Sequence, residues 1–466
     1  MSDFPFGFRL PEEPDDGESG KKDDGQGPAD NPLAAMFGFG PGGPAGMNPR
    51  DLGAAFQQLG QMLSYEGGPV NWELAQTVAR QTVARGAQDG SRDASVGAHD
   101  RSQVEEAVRL ADLWLDGVTS LPSGAGTAVA WSRAEWVEAT LPVWRELVDP
   151  VAERVGAAMG NVLPEEMQAM AGPLLGMMRS MGGAMFGTQI GQAVGVLAGE
   201  VVGSTDVGLP LGPAGKAALL PQNVTAFGVG LGIPQEEVRL YLALREAAHQ
   251  RLFAHVPWLR SHLFGAVDGY ARGIQVDTAK LEDLVGQLDP SRPEELQEKL
   301  QQGLFQPEDT PQQKAALARL ETALALVEGW VDAVVHAAAE PHLPSASALR
   351  ETLRRRRATG GPAEQTFATL IGLELRPRRL RDAARLWASL TDARGAQGRD
   401  ALWAHPDMLP TAEDLDDPDG FVHREQLDFS ELDRMLDDGP VEDTGTDGTN
   451  QKDRKDETDD EGGREE

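Results

Sequence analysis

The stretch LREAAHQRLFAH, Leu244 to His255, decides how this chain is read. It lies within GIPQEEVRLYLALREAAHQRLF, which has Pro234 in a first helical turn and Glu236 and Glu237 near the positive helix end. Pro257 disfavours helix at Val256, so the helix should stop near Ala254. Arg245 and His249 stand at i and i+4, on one face. Glu246 lies about 100° further round.

Working outward, the pattern is helical almost throughout. MNPRDLGAAFQQLGQMLSY, NWELAQTVARQTVAR, EEAVRLADLWLDGVTSL, QQKAALARLETALALVEGWVDAVVHAAA and RLRDAARLWASL carry apolar stripes at helical spacing. WSRAEWVEATLPVWRELVDPVAERV starts on a capping box, Ser132 with Glu135. A short helix between turns is expected within 290–311. The stretch 204–230, STDVGLPLGPAGKAALLPQNVTAFGVG, alone does not read as helix; its Gly and Pro spacing predicts turns and one or two short strands. ALWAHPDMLPTAEDL reads as an irregular docking segment. The fold class expected is mainly α, with at most a small β element.

Both ends are charged, rich in Gly and poor in large apolar residues, so disordered acidic tails are expected over residues 1–45 and 426–466. The helical domain should span 46–425, with a division into 46–165 and a motif-bearing 166–425. Of the formal charge of -32, Thr411–Glu466 holds -16 and the first 30 residues -6, which leaves about -10 for the body. Such tails discourage contact with nucleic acid or anionic lipid, so no nucleic-acid partner is expected. There is no cysteine, which excludes disulfides, thiolate metal sites and a cysteine nucleophile. No signal peptide is visible, and a cytoplasmic location is the expectation.

From Ser180 to Gly199 there are 20 uncharged residues, long enough for a membrane span. Abundant Gly and the central Gln189 and Gln192 argue against one, and no stable span is expected. Gly recurs at 183, 187, 191, 195, 199 and 203. Each costs about 1 kcal/mol in helix propensity. Tight packing of two helices is the expected reason, ahead of a ligand groove. The run Arg354–Arg357 reads as a solvated face, or a dock for an acidic tail or a phosphate; the tryptophans, and His262, His336 and His342, read as packing or surface residues.

REAAH differs by one letter from the zinc-binding HExxH motif, whose two histidines bind the metal and whose glutamate activates water. Arg245 stands at the first ligand position and offers no lone pair. A third ligand has two candidates. His255 follows His249 by six residues, the spacing of HExxHxxGxxH, but Leu252 stands where the turn needs Gly. Glu328 and Asp332, in EGWVD, have the ExxxD spacing of another branch. They lie at the centre of the apolar stripe LALVEGWVDAVV, where an unpartnered acid costs several kcal/mol.

NWELA (71–75), GTQIGQAVGVLA (187–198), REAAHQRLFAHVPWLR (245–260), EGWVD (328–332), LIGLELRPRR (370–379) and LWAHPDMLP (402–410) together resemble a bacterial family described as hydrolases or zinc-dependent metalloproteases of zincin type. One branch of it is linked to biosynthesis of a deazaflavin coenzyme. The resemblance implies a largely helical zincin-like fold, a peptide or protein substrate and zinc as cofactor. It implies Glu246 as the water-activating base, His249 and Glu328 as zinc ligands, and Asp332 behind them, orienting a metal-bound histidine. Arg245 departs from that pattern. Two readings follow. One is a zinc-dependent peptidase-type hydrolase. The other is a non-catalytic scaffold or regulator in which Arg245 bridges Glu328 or Glu246, or receives an anionic substrate.

Overall fold

The computed structural model describes residues 68–86, 92–160, 172–272, 310–358 and 379–423. Both expected tails, the whole of the first expected helix, the short helix within 290–311 and the LIGLELRPR segment lie outside them. Described residues up to Val422 fall in one unit.

Among the described residues, ten α-helices of eight residues or more and two shorter ones form the fold: α1 Trp72–Arg85, α2 Ala98–Leu115, α3 Arg133–Gly160, α4 Gly172–Ala198, α5 Pro221–Gly228, α6 Gln235–His255, α7 Pro257–Arg272, α8 Pro311–Ala339, α9 Ala346–Ala358, α10 Leu380–Asp400, α11 Ala412–Asp416 and α12 Pro418–His423. Two four-residue strands, β1 Thr127–Ala130 and β2 Lys216–Leu219, pair in parallel with Thr127 opposite Lys216. The mainly α expectation holds. Two local readings are corrected. TAVA, at 127–130, is a strand that its length and composition did not signal. PQNVTAFG, read as part of a non-helical stretch, is α5, with Pro221 in the first turn where a missing N–H costs nothing.

Helix ends follow local chemistry. Ser132 and Glu135 form the expected box: the Ser132 N–H donates to Glu135 Oε2 at 2.7 Å, and the Glu135 N–H to Ser132 Oγ at 3.1 Å. Thr310 and Gln313 do the same at the start of α8. Both boxes satisfy backbone donors that a helix start leaves unpaired.

The glycine ladder is a packing device. A Cβ on Gly187 would lie 2.4 Å from the Asn71 carbonyl oxygen, one on Gly191 2.4 Å from that of Ala75, and one on Gly195 2.8 Å from that of Ala79. Period four on α4 meets period four on α1, and the two backbones touch where no side chain intervenes. The Asn71 N–H donates to the Gly183 carbonyl at 2.9 Å, which continues the same seam.

Helix α6 is the hub. Every residue from Tyr241 to Leu252 is buried, polar ones included. A helix hydrophobic on one stripe only sits on a surface; one buried all round must pair each polar side chain. Helices α2, α8, α9 and β2 all pack on it. Helix α8 is long and apolar enough to cross a membrane, but 78% of that apolar window is buried inside the fold, which marks a core helix.

Candidate functional site: a buried charge cluster between three helices

Five polar residues of α6 leave the helix in different directions. Arg245 and His249 point at α8. Arg245 Nη2 donates to Glu328 Oε2 at 2.7 Å, and His249 Nε2 lies 3.1 Å from Glu328 Oε1. All three are buried; the side chains of His249 and Glu328 are each 1% exposed. Nδ1 of His249 lies 2.9 Å from the Arg245 carbonyl oxygen, a pure acceptor.

Glu246 faces the other way. Its carboxylate accepts five hydrogen bonds: from Ser204 Oγ, the Thr205 N–H at 3.1 Å, Thr205 Oγ1 at 2.7 Å, the Ala218 N–H at 3.2 Å and Gln250 Nε2 at 3.1 Å. It fastens α6 to β2 and to the loop Gly203–Gly208. Gln250 donates to the Lys216 carbonyl at 3.0 Å. Arg251 turns to α2, with Nη2 3.0 Å from Asp112 Oδ1 and 2.7 Å from Asp116 Oδ1.

EGWVD resolves residue by residue. Glu328 takes Arg245 and His249. Gly329 lets α10 approach, since a Cβ there would lie 2.6 Å from that of Ala383 and 2.8 Å from its main chain. Trp330 Nε1 donates to Asp400 Oδ1 at 2.9 Å. Asp332 accepts from Arg350 Nη2 and Arg354 Nη2, each at 2.6 Å.

The arginine run on α9 is therefore not a solvated face, which corrects that reading. Arg354 holds Asp332. Arg357 Nη1 lies 2.8 Å from Glu328 Oε1, and its Nη2 reaches the Asp206 carbonyl. Arg356 Nη2 donates to the Glu200 carbonyl at 2.6 Å. Arg355 alone pairs on the surface, with Glu351. The signal was present in the sequence: Arg350, Arg354 and Arg357 are i, i+4 and i+7, one helical face, opposite two acids at i and i+4.

Two glycines frame the loop that joins these halves. A Cβ on Gly203 would lie 2.6 Å from Glu246 Oε2; one on Gly208, whose φ is +80°, would lie 2.9 Å from Glu328 Oε1. Both carboxylates are held so closely that a larger residue would displace them. The loop's Ser204, Thr205 and Asp206 went unnoticed in the sequence because short hydroxyls and backbone N–H groups leave no pattern.

Electrostatics follow the geometry. Burial pushes the Glu328 carboxyl up, but Arg357, His249 and Arg245 together overcome it and hold it well below the usual range. Burial is likewise the largest influence on Asp332, and hydrogen bonds from Arg350 and Arg354 reverse it. Burial disfavours the Arg245 charge, and Glu328 more than restores it. Tyr241, one turn before Arg245, is pushed up to about 12 by burial. Its hydroxyl is buried with no hydrogen-bond partner.

Two expected site residues lie elsewhere. Helix α6 runs unbent to His255, because Leu252 continues the helix where a turn needs Gly. His255 therefore ends about 240° round from His249 and about 9 Å along the axis. It is exposed and bonds the Ser123 carbonyl at 3.1 Å. Asp332 does not orient His249, whose Nδ1 is taken by the Arg245 carbonyl; its two oxygens serve arginines instead.

A zinc ion does not fit this arrangement. Of the expected ligands only His249 and Glu328 converge, and no group of three His, Cys, Asp or Glu side chains among the described residues could hold a metal. The His249 ring lies with Nδ1 2.9 Å from the Arg245 carbonyl oxygen and Nε2 3.1 Å from Glu328 Oε1, so both nitrogens are already engaged within the protein. Two guanidiniums already occupy the Glu328 carboxylate.

Residues 70–422 match the family described as zincin-like metallopeptidase. Among solved structures, a Chloroflexus aurantiacus protein, provisionally described as a hydrolase with a novel fold, is similar with a TM-score of 0.52 and 22% identity. The match covers 78% of this chain and 99% of that one, and shows a shared fold. No curated protein matches.

Proposed function

We propose, since the chain belongs to the zincin-like metallopeptidase family, that it is a metal-free, non-catalytic member of this hydrolase-type family, acting as a scaffold or regulatory protein. The observation that carries this reading is the Arg245–Glu328 ion pair at 2.7 Å, where the family pattern places two ligands of one zinc. An arginine is permanently charged and cannot ligate. Glu246 adds support: a general base must reach the proton it abstracts, and both of its oxygens are engaged by five donors.

The competing reading is a zinc-dependent peptidase with Glu246 as base, His249 and Glu328 as ligands and a peptide or protein as substrate. Family membership favours it. It requires Arg245 and Arg357 to leave Glu328, and Glu246 to give up part of its network. Metal analysis of the purified, dialysed full-length chain separates the two. Our reading expects no bound zinc at micromolar metal, no hydrolysis of a casein or mixed-peptide substrate, and no change of melting temperature on adding a chelator. One zinc per chain, lost on His249→Ala, would overturn it.

A further inference from the structure

We infer that Arg357 acts with Arg245 as the replacement for a divalent ion on Glu328, and that a zinc site lies latent beneath this guanidinium pair. The inference rests on the metal-free reading above and goes beyond it, because Arg357 belongs to neither sequence motif. Two unit charges reach one carboxylate from two helices, one on each oxygen: Arg245 from α6 on Oε2 at 2.7 Å, Arg357 from α9 on Oε1 at 2.8 Å. Together they supply the two positive charges that a zinc ion would bring.

Arg357 is a built part of the cluster. Its side chain is 15% exposed, and the Asp206 carboxylate lies 3.8 Å from it. The loop carrying Asp206 also holds Glu246 through Ser204 and Thr205, so Arg357 and the α6 network share one support.

Position decides what each arginine blocks. Arg245 takes the place of the first histidine. Arg357 sits on Oε1, the oxygen that faces His249 Nε2 at 3.1 Å. An ion bound to both of those atoms would lie about 2 Å from each. It would then stand beside a guanidinium nitrogen 2.8 Å from Oε1, cation against cation. Restoring the first histidine alone therefore leaves the site closed. Removing the second charge as well opens it.

The test uses the full-length chain and zinc alone, read by metal content after dialysis and by competition against a chromophoric chelator. Wild type, Arg245→His, and Arg245→His with Arg357→Lys are expected to bind no zinc at micromolar metal. Arg245→His with Arg357→Gln is expected to bind one zinc per chain, at least tenfold tighter than Arg245→His, and to lose it on further change of His249 to Ala. Equal affinity of Arg245→His and the double variant would overturn the role of Arg357. So would a folded double variant that stays metal-free. If the double variant is unfolded without metal, circular dichroism with and without zinc decides: recovered helix supports the inference and no recovery overturns it. Zinc on the wild type would instead sink the metal-free reading itself, so the two failures are told apart.

Discussion

At the scale of single residues, Glu328 joins three helices through one carboxylate, with Arg245, Arg357 and His249 all directed at it. Two of these neighbours are guanidiniums, Arg245 buried and Arg357 largely so, and removing the Glu328 charge leaves them without compensation. Glu328→Gln is expected to cost about 3–5 kcal/mol in urea unfolding, the range for breaking a buried pair. Arg245→Met leaves Glu328 two of its donors and should cost less, about 1.5–3 kcal/mol for one charged hydrogen bond. Equal losses would mean the cluster does not share its charge. Tyr241 makes the opposite case. Its hydroxyl has no partner, so Tyr241→Phe removes a buried polar group that nothing satisfies. Stability should stay unchanged or rise by about 1 kcal/mol. A loss above that would show that a bound water holds the hydroxyl.

At the scale of elements, the α1–α4 seam gives a test in which one substitution reverses sign with position. Gly191→Ala places a Cβ 2.4 Å from a backbone oxygen of Ala75, which cannot move without shifting α1. Overpacking of about 1–3 kcal/mol should outweigh the gain in helix propensity. At Gly182, in the same helix, a Cβ meets nothing within 4 Å, and Gly182→Ala should stabilise by up to about 1 kcal/mol. Thermal melts of the two variants should move in opposite directions; a shared direction would mean the helices are not in backbone contact. This seam was legible because a strict four-residue glycine period has few causes. Long helices and the Ser132–Glu135 box were legible because 3.6-residue periodicity and caps are local. Strand β1 was not, since four residues running from an exposed Thr127 to a buried Ala130 show no in-and-out alternation. The site was half legible. REAAH and EGWVD named three residues that meet, Arg245, His249 and Glu328, and Asp332 one turn further along α8, which serves Arg350 and Arg354 instead. Two of the acids' partners, Arg354 and Arg357, stand in an arginine run whose composition resembles any solvated helix end; their spacing with Arg350 marks one helical face, and only the packing of α9 on α8 shows that this face turns inward while Arg355 turns out.

At the scale of the molecule, the buried carboxylates set how the fold responds to acid. Glu328, Asp332 and Asp400 are each buried, which pushes them up, yet each is held below its ordinary range by donors. For Glu328 these are Arg357, His249 and Arg245; for Asp332, Arg350 and Arg354; for Asp400, Arg399, Thr119 and Trp330. Each therefore binds fewer protons folded than unfolded. The stability they contribute is complete above the unfolded carboxylate values, near pH 4, and is lost as pH falls below them. Asp149 and Glu200 run the other way. Burial raises both, so they weaken the fold slightly as pH rises through about 4 to 5. The three depressed groups are the more deeply buried and should dominate. The urea midpoint is expected to change little from pH 8 to about 5.5 and to fall steadily below about pH 4. Glu328→Gln removes one of the three titrating groups, so its midpoint should start lower and fall less steeply over the same interval. If the wild type and this variant lose stability in parallel below pH 4, Glu328 takes no part in the acid response, which must then come from Asp332, Asp400 or the surface.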